Sequence, residues 1–264
     1  MIRDITIGQY YPAKSPIHKL DPRTKLAGTL IFIISVFLFH TVVGYAVATV
    51  FLAGMILIST VPVKFIFKGL KAIFMIMLIT MVFNILLTPG EAIVTLGIFK
   101  ITKEGISMAV RMAIRLIYLV IGSSLMTLTT TPNQLTDGLE KSLRPLNVPV
   151  HEIAMMMSIA LRFIPILLEE TDKIMKAQIA RGADFENGNL IQKVKNMVPL
   201  LVPLFISAFR RANDLAMAME ARCYHGGDDR TQMKPLKYKK RDHIAYLILF
   251  AYLAVAIGFR VAGL

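Results

Sequence analysis

The sequence has no tryptophan and a single cysteine, Cys223. A lone cysteine excludes an intramolecular disulfide framework and supplies no zinc cluster. The five histidines, His18, His40, His151, His225 and His243, are scattered, with no i, i+4 pair and no Cys-His grouping. No Gly-x-x-x-x-Gly-Lys-Ser/Thr loop is present, so the chain is not expected to bind ATP phosphates itself. Acidic residues are almost absent from the apolar runs, which removes the usual proton or cation relay. No carboxylate, histidine or metal constellation supports an active site, as a membrane-embedded enzyme would require. The polar N-terminus, with Tyr10, Tyr11 and Pro12 ahead of the first apolar run, is not the pattern of a cleavable signal peptide.

What is abundant is apolar sequence. Of 264 residues, 55% are hydrophobic, and the mean hydropathy is +0.61, more than a soluble domain of this length carries. Five runs approach the ~20 residues that cross a bilayer: about 26–43, 45–61, 70–88, 106–130 and 244–261. Pro89-Gly90 breaks the chain after the third. Residues 91–103 alternate weakly, which fits a short hairpin or an interfacial segment. The formal net charge is +13. In such a chain, excess lysine and arginine marks cytoplasmic loops rather than nucleic-acid binding. Lys14, Lys19, Arg23 and Lys25 precede the first run, Lys64, Lys68 and Lys71 the third, and Lys237, Lys239, Lys240 and Arg241 the last. The link at 40–44 has none. The expectation is an all-α integral membrane protein of about five transmembrane helices, N-terminus cytoplasmic and C-terminus extracellular. Its regions are an arm and four spans (1–130), a cytoplasmic region of long amphipathic coupling helices (131–243) and a last span (244–264).

Two apolar stretches in the middle region are poor spans. One, 154–168, contains Arg162 and Pro165; the other, 199–209, is short and holds Pro199 and Pro203. Both run into strongly charged sequence. They read as two long helices, about 149–181 and 190–222, with the glycine-containing gap 182–189 as a turn. Seven spans kinked at the prolines is the alternative. Thr131 is a suitable N-cap for a shorter helix ending near Leu143. Methionines concentrate here (Met155, Met156, Met157, Met175, Met197, Met217, Met219), fitting either ordinary packing or a surface that re-packs against partners. Within the spans, Asn84 has the chemistry to bond across helices, although a lone amide is more often structural, and Arg111 and Arg115 either snorkel outward or act inside the membrane.

Each long helix closes on an arginine between small residues: Ala180-Arg181-Gly182 and Ala221-Arg222-Cys223. A guanidinium without bulky neighbours is reachable by another protein, and its donor fork suits carboxylates or backbone carbonyls. A basic residue near a helix C-terminus also has a plain role in complementing the helix dipole. The duplication favours a pair of plugs for a two-part partner.

The arm His18-Lys19-Leu20-Asp21-Pro22-Arg23-Thr24-Lys25-Leu26, the segment Leu161-Arg162-Phe163-Ile164-Pro165 and the two arginine tips resemble the transmembrane T component of energy-coupling factor (ECF) transporters, a family that includes the cobalt-permease membrane subunits. The resemblance covers essentially the whole chain; only Cys223 stands where the family often has glycine, alanine or serine. It implies a non-catalytic scaffold in the prokaryotic plasma membrane, without a substrate site or cofactor of its own. The scaffold joins two ABC-type ATPases (EcfA and EcfA-prime type), which bind ATP and Mg, to a small S component that binds a vitamin or metal ion. The residues it marks for ATPase docking are Ala180, Arg181, Gly182, Ala221, Arg222 and Cys223. The residues it marks for the S component are Met155, Met156, Ile159, Phe163, Leu201 and Phe205. The rival reading is a self-contained secondary carrier or channel, which would need polar residues lining a mid-membrane path; none is visible.

Overall fold

Asp21-Pro22 starts the first helix by two local devices. The Asp21 carboxylate accepts from the Arg23 backbone N–H at 3.0 Å, satisfying an otherwise orphaned donor. Pro22, at the first helical position, has no N–H to leave orphaned. The computed structural model describes residues 10–39, 41–96, 99–143, 150–183, 185, 190–226 and 235–261. Its helices are α1 (Pro22–Leu38), α2 (Val42–Ser59), α3 (Val63–Leu87), α4 (Lys103–Thr129), α5 (Pro132–Leu143), α6 (Val150–Ala180), α7 (Leu190–Glu220) and α8 (Lys240–Val261). Between α3 and α4, strands β1 (Ala92–Leu96) and β2 (Phe99–Thr102) form an antiparallel hairpin, settling the choice left open for 91–103.

Among the described residues two compact units emerge: 10–142 with 236–261, and 143–235. Helix α5 and the start of α8 thus belong with the spans, whereas the sequence pattern divides the chain at 131 and 243. The Gly138 backbone lies close against Pro22 and Leu26, which explains α5. Its start is a reciprocal cap: the Gln134 N–H donates to Thr131 Oγ1, and the Thr131 N–H to Gln134 Oε1, each at 3.3 Å.

In the span unit, α2, α4 and α8 are long and apolar enough to cross a membrane. Helix α3 reaches that length and apolarity with its two parts taken together as one span, Val63–Lys71 and Ile73–Leu87, which are bent by 56°. The expected fifth, α1, has 17 residues, or ~26 Å, slightly less than a ~30 Å hydrocarbon core. It ends at Leu38, not at residue 43 as the apolar run suggests. The core is aromatic. Tyr252 of α8 stacks on Phe51 at 4.2 Å between centroids and shares a hydrogen bond with the Ser35 hydroxyl at 2.8 Å, among Phe32, Val36, Phe39 and Ala48. Outward residues such as Leu57 (79% exposed) and Leu247 (71%) are apolar because lipid, not protein, covers them.

The arm ties three helix ends together. Lys25 Nζ donates to the Thr129 carbonyl at the end of α4 (2.8 Å) and to the His18 carbonyl (3.2 Å). Asp242, buried in α8, accepts from the Asp21 N–H (2.7 Å) and the Lys239 N–H (2.8 Å). Arg23 forks onto Asp21 with two 3.0 Å bonds and lies 3.9 Å from the Tyr238 ring centroid. Burial holds the His18 imidazole below its ordinary range, despite the opposing hydrogen bond with the Tyr11 carbonyl; the Lys25 charge pushes the same way as burial.

Two polar side chains within the spans take structural roles. The Asn84 amide donates to the Thr80 carbonyl of its own helix at 2.7 Å, not across helices: a carbonyl one turn back is the nearer acceptor. Arg115 turns inward instead of snorkelling. Its Nη2 lies 3.5 Å from the Phe39 carbonyl at the end of α1 and 3.5 Å from the Tyr45 hydroxyl. A cation against a helix C-terminus is the structural role its charge suits. Arg111 is exposed.

Candidate functional site

The second unit is built on α6 and α7, each of 31 residues and ~46 Å long. They run antiparallel. Near one end the Gln178 side chain meets Pro199; near the other, Tyr224 meets Met155. The two arginine tips therefore lie at opposite ends of the pair. Residues 155 and 181 are separated by ~39 Å of helix at 1.5 Å per residue. Both helices continue through their prolines, Pro165 in α6 and Pro199 and Pro203 in α7.

Both tips end in the same hydrogen-bonded motif. At the first, the Gly182 N–H donates to the Ile179 carbonyl (2.9 Å) and the Ala183 N–H to the Gln178 carbonyl (3.0 Å). At the second, the Cys223 N–H donates to the Glu220 carbonyl (2.8 Å) and the Tyr224 N–H to the Met219 carbonyl (3.1 Å). This is the Schellman pairing, and it requires a left-handed residue just past the helix. Gly182 (φ 89°) and Cys223 (φ 55°) fill that place. The motif explains the small residue after each arginine better than access alone does. Glycine adopts this backbone freely, whereas cysteine pays a steric cost of about 1–2 kcal/mol.

Arg181 and Arg222 thus occupy equivalent cap positions, and both are exposed. Among the described residues, neither guanidinium has a hydrogen bond or ion pair; the ion pair found there is Arg23–Asp21. The surroundings of the tips differ. Arg222 borders a cavity of about 470 Å³ with Met155, Ile159, Leu215, Met219 and His225. Around Gly182, a side chain would meet open space.

The six residues marked for the S component separate into two groups. Met156 (57% exposed), Leu201 (43%) and Phe205 (62%) present open apolar surface. Met155, Ile159 and Phe163 are half-buried, and the first two line the Arg222 cavity. Sequence reasoning missed Gln178 and Tyr224 as cross-helix contacts. The available signal was Pro203: a proline deprives the carbonyl four residues earlier of its helical donor, so Pro199 needs another partner. Among the described residues, no group of histidines, cysteines and carboxylates is arranged to hold a metal.

The family described as CbiQ, cobalt transport protein, matches residues 13–234. The chain belongs to the CbiQ family. Its relatives include proteins named energy-coupling factor transporter transmembrane protein EcfT. That of Clostridium kluyveri is 57% identical, covering 99% of this chain and 98% of the relative. That of Ruminiclostridium cellulolyticum is 56% identical, covering 92% of each. That of Bacillus subtilis is 48% identical, covering 96% of this chain and 98% of the relative. Membership in the CbiQ family, read from the arm and the tips, therefore extends over nearly the whole length.

The strain at Cys223 is measurable. Replacing Cys223 with glycine should relieve ~1 kcal/mol, net of glycine's own entropy cost, slowing amide exchange at residues 223 and 224 about fivefold. Cys223→Val should speed it. Unchanged exchange in both variants would contradict a strained cap.

Proposed function

We propose that this CbiQ-family chain is the energy-coupling scaffold of an ECF-type importer, linking two ABC-type ATPases to an S component for uptake of a vitamin or other micronutrient. The observation that carries the reading is the pair of equivalent, exposed arginine caps at opposite ends of one antiparallel helix pair. Two matching plugs at opposite ends of the pair suit two matching sockets, and two ATPase subunits that close on ATP provide them. Each subunit grips one arginine, so closure shifts α6 against α7. The exposed apolar surface at Met156, Leu201 and Phe205 is the face offered to the S component. The chain contributes no catalytic residue; ATP and Mg belong to the partners.

The basic residues before α1, α3 and α8 support a cytoplasmic N-terminus and a C-terminus on the opposite face. With α1 as a short fifth span, modest bilayer thinning covers its missing few ångströms. Reporter fusions should place the two ends on opposite sides; a cytoplasmic C-terminus would refute this topology.

Truncating one partner of a buried charge-assisted contact costs ~2–5 kcal/mol, or ~30- to several thousand-fold in affinity. Arg181→Ala and Arg222→Ala should each weaken ATPase attachment by that factor, and the double variant should lose both ATPases. Lysine should rescue poorly, because it keeps the charge without the fork. Lys176→Ala, at an exposed neighbour, should have little effect. Co-purification of ATPases with each variant is the measurement. Full retention in the double variant would reduce the tips to ordinary helix ends.

A further inference from the structure

Pro203 has no N–H, so the Pro199 carbonyl loses its normal i+4 donor. The donor it has instead comes from the other helix: the Gln178 side-chain amide, with Nε2 3.3 Å away. Gln178 is also the pivot of the first tip, because its own carbonyl accepts from the Arg181 N–H (3.1 Å) and the Ala183 N–H (3.0 Å). One residue therefore caps the Arg181 tip with its backbone and reaches α7 with its side chain.

The second tip mirrors this arrangement. Tyr224 donates its backbone N–H to the Met219 carbonyl and so completes the Arg222 cap. Its hydroxyl donates to Met155 Sδ of α6 at 3.0 Å. Each tip is thus joined, through a residue that builds its cap, to the opposite helix. The two contacts lie at opposite ends of the pair, where the leverage against relative rotation is greatest.

We infer that Gln178 and Tyr224 are positioning residues that set the mutual spacing of the two arginine tips in the free chain, by tying each cap to the opposite helix of the pair. This rests on the scaffold reading for its purpose: the ties present both plugs at one defined starting spacing, from which closure of the ATPases then shifts α6 against α7. Neither residue touches a nucleotide or transported compound. Both act through Arg181 and Arg222.

The test measures spacing, not assembly, so it stands apart from the docking test above. In a Cys223→Gly background, cysteines are introduced at the exposed Lys176 and Met217. The full chain is spin-labelled in lipid nanodiscs, and the distance distribution is read by double electron–electron resonance. With native Gln178 the distribution should be single and narrow. Gln178→Leu keeps the volume and removes the donor, and should broaden the distribution at least twofold. Gln178→Lys restores a donor and should narrow it again, which a merely space-filling role would not do. Tyr224→Phe removes one hydroxyl and should broaden it independently, which covers the case in which Gln178→Leu fails to fold. Pro203→Ala gives the Pro199 carbonyl a backbone donor, so Gln178→Leu should add little further broadening there. Retention of ATPases by Gln178→Leu would leave the scaffold reading intact whatever the distances show. Narrow, native-like distributions for both Gln178→Leu and Tyr224→Phe would overturn the inference.

Discussion

A helix cannot end, or pass a proline, without stranding backbone carbonyls, and the requirement to pair them organises this protein. At the end of α4, the Leu128 carbonyl takes the Tyr11 N–H and the Thr129 carbonyl takes Lys25. At the end of α1, Phe39 has Arg115 beside it. In α7, the Pro199 carbonyl takes Gln178. At the two coupling tips the chain folds back and pairs its own carbonyls. Where the helix end is buried, as at Phe39 and Thr129, no water substitutes for these partners. There the solution commits a particular side chain to a particular place.

The two units meet the requirement differently. In the span unit the donors are brought from elsewhere in the chain, the Tyr11 N–H and the long cations Lys25 and Arg115, so capping also ties elements together. Lys25 links the arm to α4, and Asp242 performs the converse task for backbone N–H groups at α8 and Asp21. The tips, by contrast, are closed by backbone alone. That leaves the guanidinium groups of Arg181 and Arg222 free of intrachain work among the described residues. A self-sufficient cap leaves a cap-position arginine available to another protein.

Much of this is legible in the sequence wherever the governing physics is local. Thr131 marks the start of α5, and charge patterning with the small residue after each arginine places α6 and α7 to within about two residues. Gly182 and Cys223 stand at the left-handed positions, although in the sequence alone their smallness reads as access. The failures concern partners distant in sequence. Nothing in the pattern around residue 115 says that the guanidinium turns toward the end of α1. Span edges blur because apolar sequence continues past the last helical residue, as at Leu38. The Gln178–Pro199 pairing depends on the register of two antiparallel helices, which hydrophobic periodicity alone does not specify.

The central claim is that the tips are where two ATPases attach. Site-specific photocrosslinking in intact membranes tests it most directly, with a photoreactive residue at Ile179 beside the first tip and at Met217 beside the second, both exposed. The account predicts that each captures an ABC-type ATPase and that the lipid-facing position Leu247 captures none. Capture of no ATPase from either tip, in membranes where the complex is assembled, would contradict it.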